Sequence, residues 1–394
     1  MKRAFTHVNA VDVLAHKVLA DCTVLVEDGK IVEIGQGVDT AGSEVIDLAG
    51  KYMTPGLFNC HVHLWSNSTP VQTDLLKMTE FDKALFSILN CEKLIKTGVT
   101  FVRDVGTSNR AACELKKNIL GGTIRMAPDL QVVASAICMT GGATWNVGAC
   151  QADGVDECMK ATRLQLREGA DFIKLYSSGS VLTAGMDPNS PQLTVEELTA
   201  CVKVAHDAAK KTCCHAQNAR SIKNAVIAGV DHIEHGIGLD DESVEMMLAQ
   251  GTWLDPTVSA LYNIARHADR LIPEVREKAL RLEHAAYASF KKAYRAGIPC
   301  ACGNDAGSSF CEFDDTASEM VTMVEKCDLT PAEALAIGTI NSAKMLDVED
   351  ELGSITVGKK AHLAVFDENP LNDIHALESC FMTVKNGEIL YTRA

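Results

Sequence analysis

The sequence is short of the features that mark membrane, redox-motif and dinucleotide-binding proteins. No stretch approaches the roughly 20 apolar residues of a membrane span. The opening "MKRAFTHVNAVDVLAHKVLADC" has two early basic residues but no continuous apolar core, so it reads poorly as a signal peptide. A cytoplasmic location is the expectation. No two of the 15 cysteines have the C-x-x-C spacing. Several (Cys91, Cys201, Cys300, Cys302) lie in apolar runs, and so large a chain needs no covalent staples. A reduced interior using Cys as a small hydrophobe is the reading, with a disulfide framework as its alternative. Positive charge is in deficit, with 37 Lys and Arg against 52 Asp and Glu and a formal net charge of −15. The acidic residues are scattered, which favours solubility and argues against nucleic acid or an anionic membrane as partner.

What is present is an ordinary globular composition, 47% apolar and 23% charged, over 394 residues. That length suits one domain of about 250–300 residues plus a smaller one. The first 50 residues read as short strands, and "CTVLVEDGKIVEIGQG" is two alternating runs joined at Asp28-Gly29, a hairpin signal. The last 40 repeat the theme, with "FMTVKNGEILYT" joined at Asn386-Gly387. Residues 1–55 with 353–394 are therefore expected to form a small composite β-sandwich domain, and 56–352 a larger one. In the middle, eight short apolar runs alternate with amphipathic stretches such as "TVEELTACVKVAHDAAKK" and "RSIKNAVIAG". Such alternation predicts an α/β fold, a (β/α)8 TIM barrel. An open doubly wound sheet is the alternative, but no G-x-G-x-x-G follows a first strand.

Chemistry in such a barrel collects at the C-terminal ends of the strands. Run one, "FNCHVHLW", ends in His61 and His63, whose period-two spacing lets both face one side. Run four holds Lys174, run five ends in His215, run six in His235 and run eight in Asp305. Imidazole nitrogens and carboxylate oxygens suit zinc and similar ions. A single strand-end histidine reads more readily as a hydrogen-bonded structural residue, but six such groups on five runs form a pattern. Lys174 is the odd member, because an ammonium repels a cation. Its structural alternative is a partner for Asp171 or Asp305.

The elements "TPGLFNCHVHL", "GVTFVRDVG", "GADFIKLYSSG", "CCHAQN", "GVDHIEHG", "CGNDAG" and "GSITVGKKAHLAVFDENPL" occur in the order of the amidohydrolase superfamily. The resemblance covers nearly the whole chain, and the chain looks most like the imidazolonepropionase-like or Xaa-Pro dipeptidase-like branch. It implies a binuclear centre of two divalent ions, zinc by default with iron or manganese as replacements. His61, His63 and Asp305 would bind one ion and His215 and His235 the other, bridged by N6-carboxylated Lys174. A shared water would then be ionised near neutral pH and attack the scissile carbonyl. Asp305 would take its proton and pass it to the leaving amine, with Lys174 also part of the catalytic apparatus.

Around this centre, Tyr176, Gln217, Ala143, Trp145 and Arg103 are the candidate substrate contacts. Arg103 is equally readable as half of an internal ion pair, and His232 as a packing residue. His206 and His284 read as surface or helix-packing residues, and 274–296 as a solvated amphipathic helix. Two positions depart from the family pattern. Relatives carry a histidine where "TGGATWNVG" has Ala143, and dipeptidase-like relatives a tyrosine where this chain has Gln217, so recognition of an α-carboxylate is in question. The function expected is hydrolysis of a C–N amide bond in a small molecule, an N-acyl amino acid or dipeptide. A cyclic-amide hydrolase or deaminase is the second reading, and a non-catalytic binding paralogue the third. A homo-oligomer is compatible with the sequence, which leaves assembly open.

Overall fold

Apolar runs too short for helices become strands here, and most are buried at every position. The computed structural model describes residues 1–70, 72–106 and 110–394. Leu57–Val62, Val99–Asp104, Ile173–Tyr176, Thr212–Ala216 and His232–His235 expose neither face, as expected for a parallel sheet covered on both sides. With Asp129–Val132, Trp253–Asp255 and the run 300–306 they make eight staves, parallel wherever they pair. Hydrogen bonds carry the sheet round its joints. The Asp171 N–H donates to Val132 O at 2.8 Å between staves three and four, and the Ala301 N–H to Leu254 O at 3.0 Å between seven and eight. Between eight and one, the Cys60 N–H donates to Cys302 O and the His63 N–H to Ala306 O, both at 2.7 Å. The staves close into an α/β barrel around one apolar core.

The intervening amphipathic stretches are helices with the caps their sequences encode. Val195–Asp207 opens on a capping box between Thr194 and Glu197, and Ala219–Ile227 on the Asn218 side chain. The long helix Pro273–Ala296 is less solvated than expected. It buries Val275, Ala279, Leu282, Ala286 and Phe290, and Ala286 reaches the central cleft. No helix among the described residues is long and apolar enough to cross a membrane.

Strands from both ends of the chain share the other sheet. Its order runs from Glu388–Thr392 through Cys380–Lys385, Leu363–Phe366, Tyr52–Pro55, Lys2–Asp12 and Lys17–Glu27 to Lys30–Gly35. Both hairpins turn where expected, with Asp28-Gly29 and Asn386-Gly387 at positive φ. The turns are tied together by Ala361, whose N–H donates to Gly29 O and whose carbonyl accepts from the Gly387 N–H. Phe5, Val24, Ile31, Met53, Leu363 and Val384 form this sheet's own core. The cysteines are all free thiols, and all but Cys150 are buried.

Stave eight presses so closely on stave one that a side chain cannot fit between them. A Cβ on Gly303 would lie 2.5 Å from His61 Cβ and 2.7 Å from Asp255 Oδ2. Gly303→Ala should therefore lower stability by about 1–3 kcal/mol through overpacking, read by urea denaturation. An unchanged midpoint would show that the two staves can separate without cost.

Candidate metal centre

Stave ends bring His61, His63, Lys174, His215, His235 and Asp305 to one cleft at the top of the barrel. Imidazole ring centroids lie 5.5 Å apart for His61 and His63, 5.0 Å for His61 and His235, and 4.6 Å for His215 and His235. Asp305 Oδ1 is 3.2 Å from His63 Nε2 and 3.5 Å from His61 Nε2. Ligand atoms of His61, His235 and Asp305 lie within 4.8 Å of one another. His235 (φ 69°) and Asp305 (φ 57°) both hold left-handed backbone conformations. For non-glycine residues this costs about 1–3 kcal/mol each and commonly accompanies function.

Each histidine has one ring nitrogen engaged behind it. His61 Nδ1 meets Glu234 Oε2 at 2.6 Å, His63 Nδ1 the Gly106 carbonyl at 3.0 Å, and His235 Nδ1 Thr257 Oγ1 at 2.7 Å. His215 is turned the other way, with Nε2 against the Gly179 carbonyl at 3.0 Å. Such partners fix ring orientation and tautomer and leave the opposite nitrogen as a lone-pair donor. Burial drives His61, His215 and His235 well below the usual histidine range, so they stay neutral, as ligands must. For His63 burial also opposes the charge, but the Asp305 carboxylate prevails and raises it. Asp305 is pushed up by burial and pulled down further by His61 and His63, with a lowered result.

Lys174 has 1% of its surface exposed, and its Nζ and Asp305 Oδ1 are buried without a hydrogen-bond partner. An unpartnered ammonium among three neutral imidazoles is costly. Of its two alternative partners, Asp171 is taken by Lys116 at 2.6 Å, and Lys174 Nζ makes no hydrogen bond to Asp305. The Asp305 carboxylate and four imidazole nitrogens make a donor set that fits divalent cations, which Lys174 would join only if its amine were converted to an anion.

The remaining candidates divide. Tyr176 packs its ring on His215 at 5.1 Å and lines the cleft, as does Gln217. Arg103 does not reach it. Its guanidinium lies beneath His61, 2.7 Å from Glu234 Oε1, 3.3 Å from Asp255 Oδ2 and 3.0 Å from His232 Nδ1. Its Nε donates to Cys60 O at 2.7 Å, so the expected substrate contact is instead an internal ion pair. Ala143 is fully buried against Ala136, Cys138 and Tyr176, and Trp145 is 49% exposed, both outside the cleft lining. The Ala143 N–H donates to Gln192 Oε1, which turns the loop so that Thr144, Val147 and Gly148 face the cleft. Sequence reasoning missed Glu234 and Thr257. Glu234 had a signal, a carboxylate inside a buried strand; Thr257 had none.

Polar side chains converging at the C-terminal ends of parallel staves define a barrel enzyme. The model for the Amidohydrolase family matches residues 52–390, and the chain belongs to that family; it is a hydrolase acting on C–N bonds. The fold is similar to a crystal structure of a Xaa-Pro dipeptidase with bound methionine in the active site, at 30% identity and TM-score 0.93 with 100% of both chains covered. By sequence the chain is 28% identical to ochratoxinase of Aspergillus niger over 354 residues, 83% of this chain and 72% of that one. It is 24% identical to imidazolonepropionase of Fusobacterium nucleatum over 385 residues, 87% and 84% of the two.

Arg103 carries the counter-charge for Glu234. Arg103→Met should destabilise the protein by about 3–5 kcal/mol by leaving a buried carboxylate unpaired, and adding Glu234→Gln should recover part of the loss. A cost under about 1 kcal/mol in chemical denaturation would mean the network relaxes or admits water.

Proposed function

We propose that the protein hydrolyses a C–N amide bond of a small molecule at a centre of two divalent ions. His61, His63 and Asp305 would hold one ion, His215 and His235 the other, and carboxylated Lys174 would join them. What supports this above all is the arrangement of the histidines, each held from behind by one ring nitrogen, with the free Nε2 of His61 and His63 turned to Asp305 and His215 and His235 closing the same cleft around the buried Lys174. Carboxylation would turn the unpartnered ammonium into an anion, removing the conflict between Lys174 and its cationic neighbours. Ions held there would make water nucleophilic near neutral pH and polarise the scissile carbonyl.

The chain's own groups then carry the protons. Asp305 is ionised in the resting state and can accept the proton of the attacking water. It returns that proton to the departing nitrogen as the C–N bond breaks, so water and amide become a carboxylic acid and an amine. Tyr176 flanks His215 and forms one side of the site. N-acyl amino acids and dipeptides are the substrate class the family resemblance favours. Lys174 weighs against a one-metal deaminase or cyclic-amide hydrolase, where a bridging group has no role.

Lys174→Ala should lower metal content and cut kcat/KM at least about a hundredfold, with partial rescue by added short carboxylic acids. Full activity in that variant would contradict the bridging role.

A further inference from the structure

One wall of the cleft is apolar and is assembled from four separate segments. Val181 and Leu182 lie after stave four, Ile237 after stave six, Leu261 and Ile264 on helix Val258–Arg266, and Ala286 on helix Pro273–Ala296. All but Leu182 belong to one buried cluster, and Leu182 packs on it. This is a packed surface continuous with the interior, not a scatter of exposed side chains. The polar groups facing it are neutral. Gln217 Oε1 accepts the Val181 N–H at 3.2 Å, which leaves its amide NH2 for the cleft. The buried Ser309 hydroxyl also lines the cleft and has no partner.

Charge is confined to the candidate metal centre. Among the described lining residues, Lys174 is the only Lys or Arg and Asp305 the only Asp or Glu. The arginines flanking the lining segments are engaged elsewhere, Arg103 with Glu234, Arg110 with Glu168 at 3.1 Å, Arg266 with the Tyr262 hydroxyl at 3.0 Å and Arg270 over the Phe310 ring. A carboxylate laid against this wall would shed its hydration and meet no counter-charge. An apolar group there would gain in proportion to the area it buries.

We infer, resting on the amide-hydrolase reading above, that the substrate is an amide whose flanking group is bulky, apolar and uncharged, bound without recognition of an α-carboxylate. Free dipeptides and N-acyl amino acids, the class the family resemblance favours, are on this reading of the cleft poorer substrates than neutral amides of the same shape.

Matched pairs test this on the metal-loaded full chain. N-acyl p-toluidides and the corresponding N-acyl p-aminobenzoates differ only by a methyl or a carboxylate at one position. Calorimetric Kd and kcat/KM should both favour the neutral member by at least about tenfold. Leu182→Lys should erase most of that preference by supplying a counter-charge. Equal or tighter binding of the carboxylate member overturns the inference whatever the turnover, and so does a lack of binding by both members of every pair. Tighter binding of the neutral member with no hydrolysis of any pair sustains the inference about the cleft and overturns the amide-hydrolase reading instead.

Discussion

A guanidinium sealed inside the barrel lets the candidate metal centre exist. Arg103, 1% exposed, sits between Glu234 and Asp255, and without it two carboxylates would lie buried side by side. Burial raises the Glu234 pKa, and Arg103 together with Lys174 and the neighbouring His232 and His235 more than reverses this, so Glu234 stays ionised. Asp255 goes the other way, pushed well up by burial and then by Glu234. The pair behaves as one anion neutralised by one cation, a tolerable arrangement at low dielectric.

From that ion pair, order passes outward to the cleft. Ionised Glu234 receives His61 Nδ1 and aims Nε2 at Asp305. Thr257, itself at φ 46°, holds His235. Glu319 fixes the backbone just beyond it by accepting the N–H groups of Val258 and Ser259 at 2.8 and 2.7 Å. Stave eight approaches stave one without side chains at Gly303 and Gly307, which brings Asp305 against His61 and His63. The candidate donors are thus held in place by the barrel's own packing, the condition for electrostatic help at low reorganisation cost.

Much of the fold was legible because its signals are local. Asp28-Gly29 and Asn386-Gly387 encode their turns, and the runs from "FNCHVH" to "CACGNDAG" encode staves by length and apolarity. The donor residues were legible as a pattern because strand ends share one rim. The substrate side was less so. Arg103 in "VRDVG" looks identical in sequence whether it faces the cleft or the interior, and only the distant Glu234 and Asp255 decide. Ala143 and Trp145 were misplaced because a hydrogen bond from the Ala143 N–H to the distant Gln192 Oε1 sets the course of their loop. The apolar wall was invisible, since it joins residues from 181 to 286 that only tertiary packing collects. The helix 274–296 hid its role for the same reason.

The proposed centre depends on two ions sharing one bridge. Elemental analysis of protein purified without chelators, alongside the Lys174→Ala variant, tests this most directly. Close to two divalent ions per chain, falling in the variant, is the predicted result. One ion per chain, unchanged by the substitution, would contradict the bridged centre.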